Sequence, residues 1–554
     1  MKNHSVAVRS VTIAAAAALS IGVSAPIMPA NAQAGVVRTD GNVRVSDSTI
    51  DTSATGTLTI FKRANPENTH TATGEVDSTA EGTALEGAGF TLYRVTNADL
   101  TTNDGLAAAA NLTVAEAQYD KNAPVGGAEK TTGPNGQAKW DDLPVGVYLL
   151  KETTTPEGYS PAADSLVFVP MTRQNATNGG TQWLYDITAY PKNTSQQEPQ
   201  KTVTDSGQNV GDTVTYNIDT YAQTVREGQF RTFYRVEDTL DPALRLVENN
   251  PVIVTSNPDR AFEEGTDYNI RTAWVNAQGE EVEAGTEGAR QRVRVNFTNT
   301  EGNGVNKIQN GDQISVQINA EVNSKPGEGD LFNQATQYQN NPNDSQAYEP
   351  DTDTPPEEGT PTNEVHTFYG DLEFTKVNSG HEGLEGAEFK VFGVKGSQTC
   401  DALDWKNPGD NAAEQTASGN DTWTSDADGK VTITGLHANN IANFNLAKDE
   451  DGNVTATETP NEWTSYCLVE TESPAGYELL AKPVAFTITA ANNDGVWSVT
   501  NGSVKVGNTD NEIVNLEDST PKLPLTGGTG IGILAALGAL IIAAGAYSAK
   551  RRSA

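Results

Sequence analysis

Along most of the chain, apolar residues alternate with polar ones in short runs, the period of strands that turn one face inward. In "GTLTIFKR", Leu58 and Ile60 share a face, and Lys62 continues it two residues later. "GDLEFTKV" repeats the arrangement with Leu372, Phe374 and Lys376. The runs are rich in Val, Thr, Ile and Tyr and are broken by Gly, Asn, Asp and Pro, so the pattern predicts an all-β chain. Helical period occurs only in "DGLAAAANLTVAEAQY", which predicts one insertion helix. In "WLYDITAYPKN", Trp183, Tyr185, Ile187 and Asn193 fall on one face and Lys192 on the other.

Two stretches of the chain read alike. "GTLTIFKR", "LEGAGFTLYRV" and "LPVGVYLLKETTTPEGY" in the first answer to "GDLEFTKV", "LEGAEFKVFGV" and "SYCLVETESPAGYEL" in the second. A shared skeleton of this length predicts one fold for both, over roughly 55–193 and 370–518. The region between them, about 195–365, lacks the skeleton and is expected to form a different β-sandwich. It closes on "YEPDTDTPPEEGTPTN", an exposed loop or linker by composition, and is expected to resume in "EVHTFYG".

The two ends change the picture. Lys2 and Arg9, an apolar stretch over 11–23 and Ala30-Asn31-Ala32 read as a secretory leader with its cleavage site. "GIGILAALGALIIAAGAYSA" is long enough to cross a bilayer as a helix, and Lys550, Arg551 and Arg552 after it place that tail in the cytoplasm. What lies between is therefore exterior, with room for about three domains. The formal charge is −36, and without the two basic residues of the leader and the three of the tail it is −41. Such an acidic exterior disfavours nucleic acid and anionic membrane as partners. Cys400 and Cys467 are the only cysteines, and an even count outside the cell favours one disulfide.

Enzyme signatures are missing from the sequence. The five histidines offer no metal pair at useful spacing. "DADGKV" and "KDEDGN" lack the full calcium-loop pattern and read as acidic hairpin turns. Neither a nucleophile elbow nor a phosphate loop occurs. The expectation is a protein with no metal, no cofactor and no turnover chemistry.

Leu523-Pro524-Leu525-Thr526-Gly527, the apolar segment and the basic tail, in that order, resemble the cell-wall sorting signal of Gram-positive surface proteins. The resemblance implies that a sortase cysteine cleaves between Thr526 and Gly527 and passes the Thr526 acyl group to an amine. The repeated skeleton resembles the B-type immunoglobulin-like module of collagen adhesins. "GDTVTYNIDTY", "VEDTLDPAL" and "LFNQATQYQ" resemble its A-type partner. Together with Tyr190-Pro191-Lys192-Asn193, the chain resembles the major shaft subunit of sortase-assembled Gram-positive pili. Ala189 departs from that motif, where the family more often has valine.

The resemblance implies a leader over 1–32, a B-type domain over 33–193, an A-type domain over 194–369, a second B-type domain over 370–518 and a sorting signal over 519–554. Lys192 would be the acceptor amine, joined through an amide to Thr526 of another copy. The partners implied are a pilin-class sortase, copies of the chain itself, minor pilins and peptidoglycan, with room for a host-surface receptor. The location implied is a surface pilus fixed to the cell wall after transient membrane anchoring. The rival reading is a monomeric wall-anchored adhesin or a minor pilin.

Lys62 faces inward among apolar residues, where a bare charge is very costly. Desolvation lowers the pKa of an amine and raises that of a carboxylic acid, favouring a neutral pair. A neutral amine, an acid and a side-chain amide are the arrangement for self-catalysed isopeptide formation. The set expected in the first domain is Lys62, Glu152 and Asn193. In the last it is Lys376, Glu470 and Asn515, with Asn508 in reserve. In the middle the resemblance points to Lys201, Asp238 and Asn333, and Tyr234 and Val236 share a face with Asp238, as Leu331 and Ala335 do with Asn333. The alternative for each set is a buried ion pair with a hydrogen-bonded amide.

Overall fold

The structure is a computed structural model that describes residues 38–40, 43–46, 49–66, 73–174, 181–349, 354–448, 454–493 and 496–518. Among the described residues no helix is long and apolar enough to cross a membrane. The leader, Thr526 with the rest of Leu523–Gly527, and the apolar segment after it lie outside them. The all-β expectation holds, since strands dominate every part of the described chain.

In the first part, β1 (Thr55–Phe61), β2 (Gly89–Val95), α1 (Asn103–Ala109), β3 (Gln137–Pro144), β4 (Gly146–Thr154), β5 (Ser165–Val169), β6 (Asp186–Ala189) and β7 (Lys192–Ser195) carry the fold. One sheet has the order β6-β1-β3 and the other contains β5-β4-β2. Leu58, Ile60, Phe90, Leu92, Trp140 and Ile187 fill the space between them. β1 alternates as its sequence predicts. β4 does not, because its outer residues Val147 and Leu149 are also covered, by a second cluster that includes Leu106 and Ala109 of α1. The insertion helix is short. Thr102 caps it by accepting from the Gly105 N–H, and only a 3₁₀ turn at Val114–Glu116 follows.

The single inward face expected for "WLYDITAYPKN" is only partly found. Tyr185, Ile187 and Asn193 are buried, whereas Trp183 is half-buried between buried Gln182 and Leu184. The chain changes partners there. Thr181–Leu184 runs beside Val43–Ser46, whereas β6 joins β1 in parallel, so the alternation loses phase between them.

The middle part contains β8 (Gln200–Thr204), β9 (Thr213–Tyr221), β10 (Tyr234–Thr239), β11 (Tyr268–Val275), β12 (Arg290–Phe297), β13 (Gln313–Val322), β14 (Asp330–Asn333) and β15 (Ala335–Gln339). β8-β9-β13 form one sheet and β11-β12-β10-β15 the other. Between β14 and β15 the chain leaves one sheet for another with only Gln334 outside the two strands, and Leu331, Asn333 and Ala335 are all buried at that corner.

β16 (Glu364–Val377) runs without a break from the middle part into the last. Residues 365–368 pair with β14. Beyond them, β16 pairs with β18 (Lys430–His437) and, in parallel, with β21 (Glu512–Val514). The expected boundary at 369/370 falls inside this strand. The second sheet of the last part contains β17 (Glu388–Val394), β19 (Ser465–Glu472) and β20 (Val484–Phe486). Cys400 and Cys467 are joined as a disulfide with a Cα–Cα distance of 5.4 Å. It sits in a small apolar cluster outside the main core, with Phe392, Leu403 and Val469.

Buried contacts tie the parts together. Asp205, just after β8, accepts from the Asn443 N–H at 2.6 Å and from His437 Nε2 at 3.0 Å. Asn209 accepts from the His437 N–H at 2.9 Å, and the Val210 N–H donates to the Gly435 carbonyl at 2.8 Å. Between the first and middle parts, Asn343 donates to the Ala162 carbonyl at 2.8 Å, and Gln229, which also donates to the Asn343 side chain at 2.9 Å, donates to the Pro161 carbonyl at 3.3 Å.

Candidate functional site: three buried lysines and one at a groove

β1 ends at Phe61, yet the inward face continues to Lys62, whose side chain is fully buried. Lys62 Nζ lies 2.6 Å from Glu152 Oε2 and also donates to Asn193 Oδ1. Asn193 Nδ2 donates to Glu152 Oε1 at 2.8 Å, closing a ring of three side chains. β7 delivers the amide by running parallel to Arg63–Ala64, with Asn193 opposite Ala64. The Ala162 N–H donates to Glu152 Oε2 at 2.7 Å. Burial pushes the Lys62 amine down to about 8, so the neutral, nucleophilic form is within reach near neutral pH.

The last part gathers the same three residue types, with the acid between the amine and the amide. Lys376 Nζ lies 3.5 Å from Glu470 Oε1 and donates to the Ile513 carbonyl at 3.1 Å. Asn515 Nδ2 donates to both Glu470 oxygens, at 2.8 and 3.0 Å, while its own Oδ1 has no hydrogen-bond partner. Burial brings this amine also to about 8. Asn508, the reserve candidate, is exposed. The Leu480 N–H donates to Glu470 Oε2 at 2.7 Å.

In the middle part, Lys201 Nζ donates to Asp238 Oδ2 at 2.6 Å, and Asn333 Nδ2 reaches the same oxygen at 3.5 Å. Burial lowers the Lys201 amine and raises the Asp238 carboxyl, and both shifts favour a neutral pair. Asp238 Oδ1 and Asn333 Oδ1 are buried without a hydrogen-bond partner.

The nine residues expected in these sets therefore meet in three places. The sequence reading missed the backbone amides of Ala162 and Leu480, which orient the acids. A signal was present: each follows its acid by ten residues, |i−j| being 10 in both, across a Pro-x-Gly-Tyr turn.

Lys192 differs from these three. It is half-buried at the edge of a groove lined by Ala162, Ala163, Tyr190, Pro191, Thr194 and Arg226. Tyr190 stacks on Phe61 with centroids 5.8 Å apart, and its hydroxyl accepts from the Asp77 N–H at 2.9 Å. Burial first, and the Arg226 charge second, lower the Lys192 amine from its ordinary value. "DADGKV" forms a turn in which Asp426 accepts from the N–H groups of Asp428 and Lys430 at 3.0 and 2.7 Å. Among the described residues no cluster of three or more His, Cys, Asp and Glu side chains could hold a metal ion.

Comparison with known proteins gives these sites a context. Residues 53–194 match the family described as Gram-positive pilin subunit D1, N-terminal domain. Residues 370–442 and 437–503 match the SpaA prealbumin-like fold domain. The fimbrial subunit type 1 of Actinomyces viscosus is 31% identical, with 97% of each chain covered. The type 2 subunit of Actinomyces naeslundii is 30% identical over 91% of this chain and 90% of its own. The full-length major pilin SpaD of Corynebacterium diphtheriae superposes with a TM-score of 0.56 at 28% identity, covering 85% of this chain and 99% of that one. With relatives this similar over nearly its whole length, the chain belongs to the fimbrial subunits of Gram-positive bacteria and is a structural pilin.

Proposed function

We propose that the chain is the major shaft subunit of a sortase-assembled pilus, divided as the repeats suggest into domains over 33–193, 194–369 and 370–518. In this reading each domain closes itself with one lysine–asparagine isopeptide bond. The single observation that carries it is the recurrence, in three separate parts of the chain, of a buried lysine and a side-chain amide gathered on one buried acid. An ordinary buried ion pair is a weak stabiliser after desolvation, and three conserving the same third member need another reason.

The chemistry balances. A proton passes from lysine to the acid, leaving a neutral amine and a carboxyl group beside the amide. Nζ attacks Cγ of the asparagine while the acid hydrogen-bonds to the amide. The bond from Cγ to Nδ2 breaks, the proton reaches the departing nitrogen through the acid, and ammonia leaves. Glu152, Asp238 and Glu470 take the acid role. Each closure is a single self-reaction, so the chain is a structural protein and not a turnover enzyme.

Polymerisation uses a different lysine. A sortase thioester at Thr526 of one copy is attacked by neutral Lys192 of another. The C–N bond forms, the C–S bond to the sortase cysteine breaks, and the amine loses one proton. Peptidoglycan and minor pilins are the remaining partners, and the pilus stands on the cell wall. An immunoblot of wall extracts tests the shaft assignment. A ladder of high-mass species is expected, and a single band would point to a monomeric wall-anchored adhesin.

A further inference from the structure

The segment between β9 and β10 brings an arginine from the middle domain to the strand that carries Lys192. Arg226 Nη1 donates to the Lys192 carbonyl at 2.7 Å, and Nη2 donates to the Thr194 hydroxyl. Both acceptors are neutral oxygens, so neither bond cancels the guanidinium charge. The same side chain lines the groove at which the Lys192 amine stands. The far wall of that groove, Ala162 and Ala163, is held by the middle domain too, through Asn343 and Gln229. The groove is thus built from both domains.

Resting on the reading of Lys192 as the acceptor, we propose that Arg226 is a positioning residue for its amine. The planar fork ties the Lys192 carbonyl to the Thr194 hydroxyl across Asn193, and its charge stands beside the groove where the amine must react. Other charges bear on this site: Asp77 and Glu81 attract the ammonium form of Lys192, and Glu152 attracts the Arg226 guanidinium. Arg226 acts against the two acids. A like charge nearby disfavours the ammonium and leaves more of the neutral amine at a given pH. It bears in the same sense on Lys62, two residues from the end of that pairing.

The test uses the full-length chain in detergent, as wild type, Arg226→Gln, Arg226→Lys and Lys192→Ala. Competitive acylation with trace acetic anhydride, read at Lys192 by mass spectrometry across pH, reports the fraction of neutral amine. Ladder formation with a pilin-class sortase in the producing cell reports acceptor function. Arg226→Gln is expected to move the Lys192 labelling curve toward higher pH and to reduce ladders severalfold. Arg226→Lys restores the charge without the fork, so the curve should return while ladders recover only in part. Wild-type labelling and ladders from Arg226→Gln would overturn the proposal. So would equal loss of ladders in both variants with the labelling curve unmoved, which is what a merely structural contact gives. Should Arg226→Gln fail to fold, the lysine variant decides alone, since full ladders from it leave the fork without a role. Normal ladders from Lys192→Ala would instead sink the acceptor reading itself.

Discussion

Lys376 donates to a backbone carbonyl and sees one acid, with every part of its side chain away from water. Glu470→Ala removes the acid and leaves the amine. Ammonia should then stay in the protein, so the intact mass of the purified chain should exceed wild type, after correcting for the substitution, by one ammonia. A buried amine without its partner costs about 3–5 kcal/mol, and the loss of the covalent restraint adds about 5 kcal/mol on loop-closure grounds. The last domain should therefore melt and be cut by protease first. A mass equal to the unmodified sequence in the wild type would remove the isopeptide reading and leave ion pairs. The sequence made Lys62 and Lys376 legible because both extend an inward face by one more step. Asn333 came from the family resemblance, and the inward face it shares with Leu331 and Ala335 agreed with it, although the chain changes sheets immediately after it. Arg226 was not legible, because its role depends on how two domains meet and no local pattern encodes that.

At the scale of elements, the junction between the middle and last domains includes one buried histidine. His437 Nδ1 faces the Ala438 carbonyl at 2.9 Å and Nε2 faces Asp205 at 3.0 Å, so both ring nitrogens need a hydrogen. The cation is favoured and the pKa is raised, since the Asp205 charge and the two hydrogen bonds outweigh burial. A raised folded value means stabilisation that is complete below the unfolded pKa, about 6.5, and is lost as pH rises through the folded one. Protection factors at Val210 and His437, corrected for the intrinsic base-catalysed exchange, should accordingly fall on the alkaline side, and His437→Gln should abolish that fall. Gly435→Ala should loosen the same contact at every pH, because Gly435 has φ +90° and a Cβ there would stand 2.5 Å from Val210. The disulfide is separate from this junction. Alkylation of the unreduced, denatured chain should label neither Cys400 nor Cys467. The strand pattern foretold the all-β class, but β4 hid its alternation because α1 covers its second face. Trp183 was placed on the wrong face because a change of partner strand leaves no mark in the local period.

For the whole molecule, Lys192→Ala should give a folded chain that still reaches the wall but builds no ladder, since Thr526 remains as donor. Changing Thr526 should instead leave the chain held by its apolar segment, and wall extracts should lack it. Both outcomes are read on one blot. The order of the reactive residues along the chain has a mechanical consequence. In a fibre joined as proposed, tension would enter at Lys192 and leave at Thr526, so residues before 192 would hang beside the line of pull. With the proposed bonds formed, the load crosses from Lys201 to Asn333 and from Lys376 to Asn515 through covalent shortcuts, and everything inside those loops is shielded. The longest stretch left in series within the two load-bearing domains is 334–375, which holds β15 and most of β16, with only the short stretches 194–200 and 516–518 beside it. Most of the lengthening open to the shaft lies in that one stretch. Stretching would peel β16 from β14 and draw Ala335, Val365 and Tyr369 out of the middle core and Phe368, Leu372 and Phe374 out of the last, so the shaft would yield only as those core contacts break.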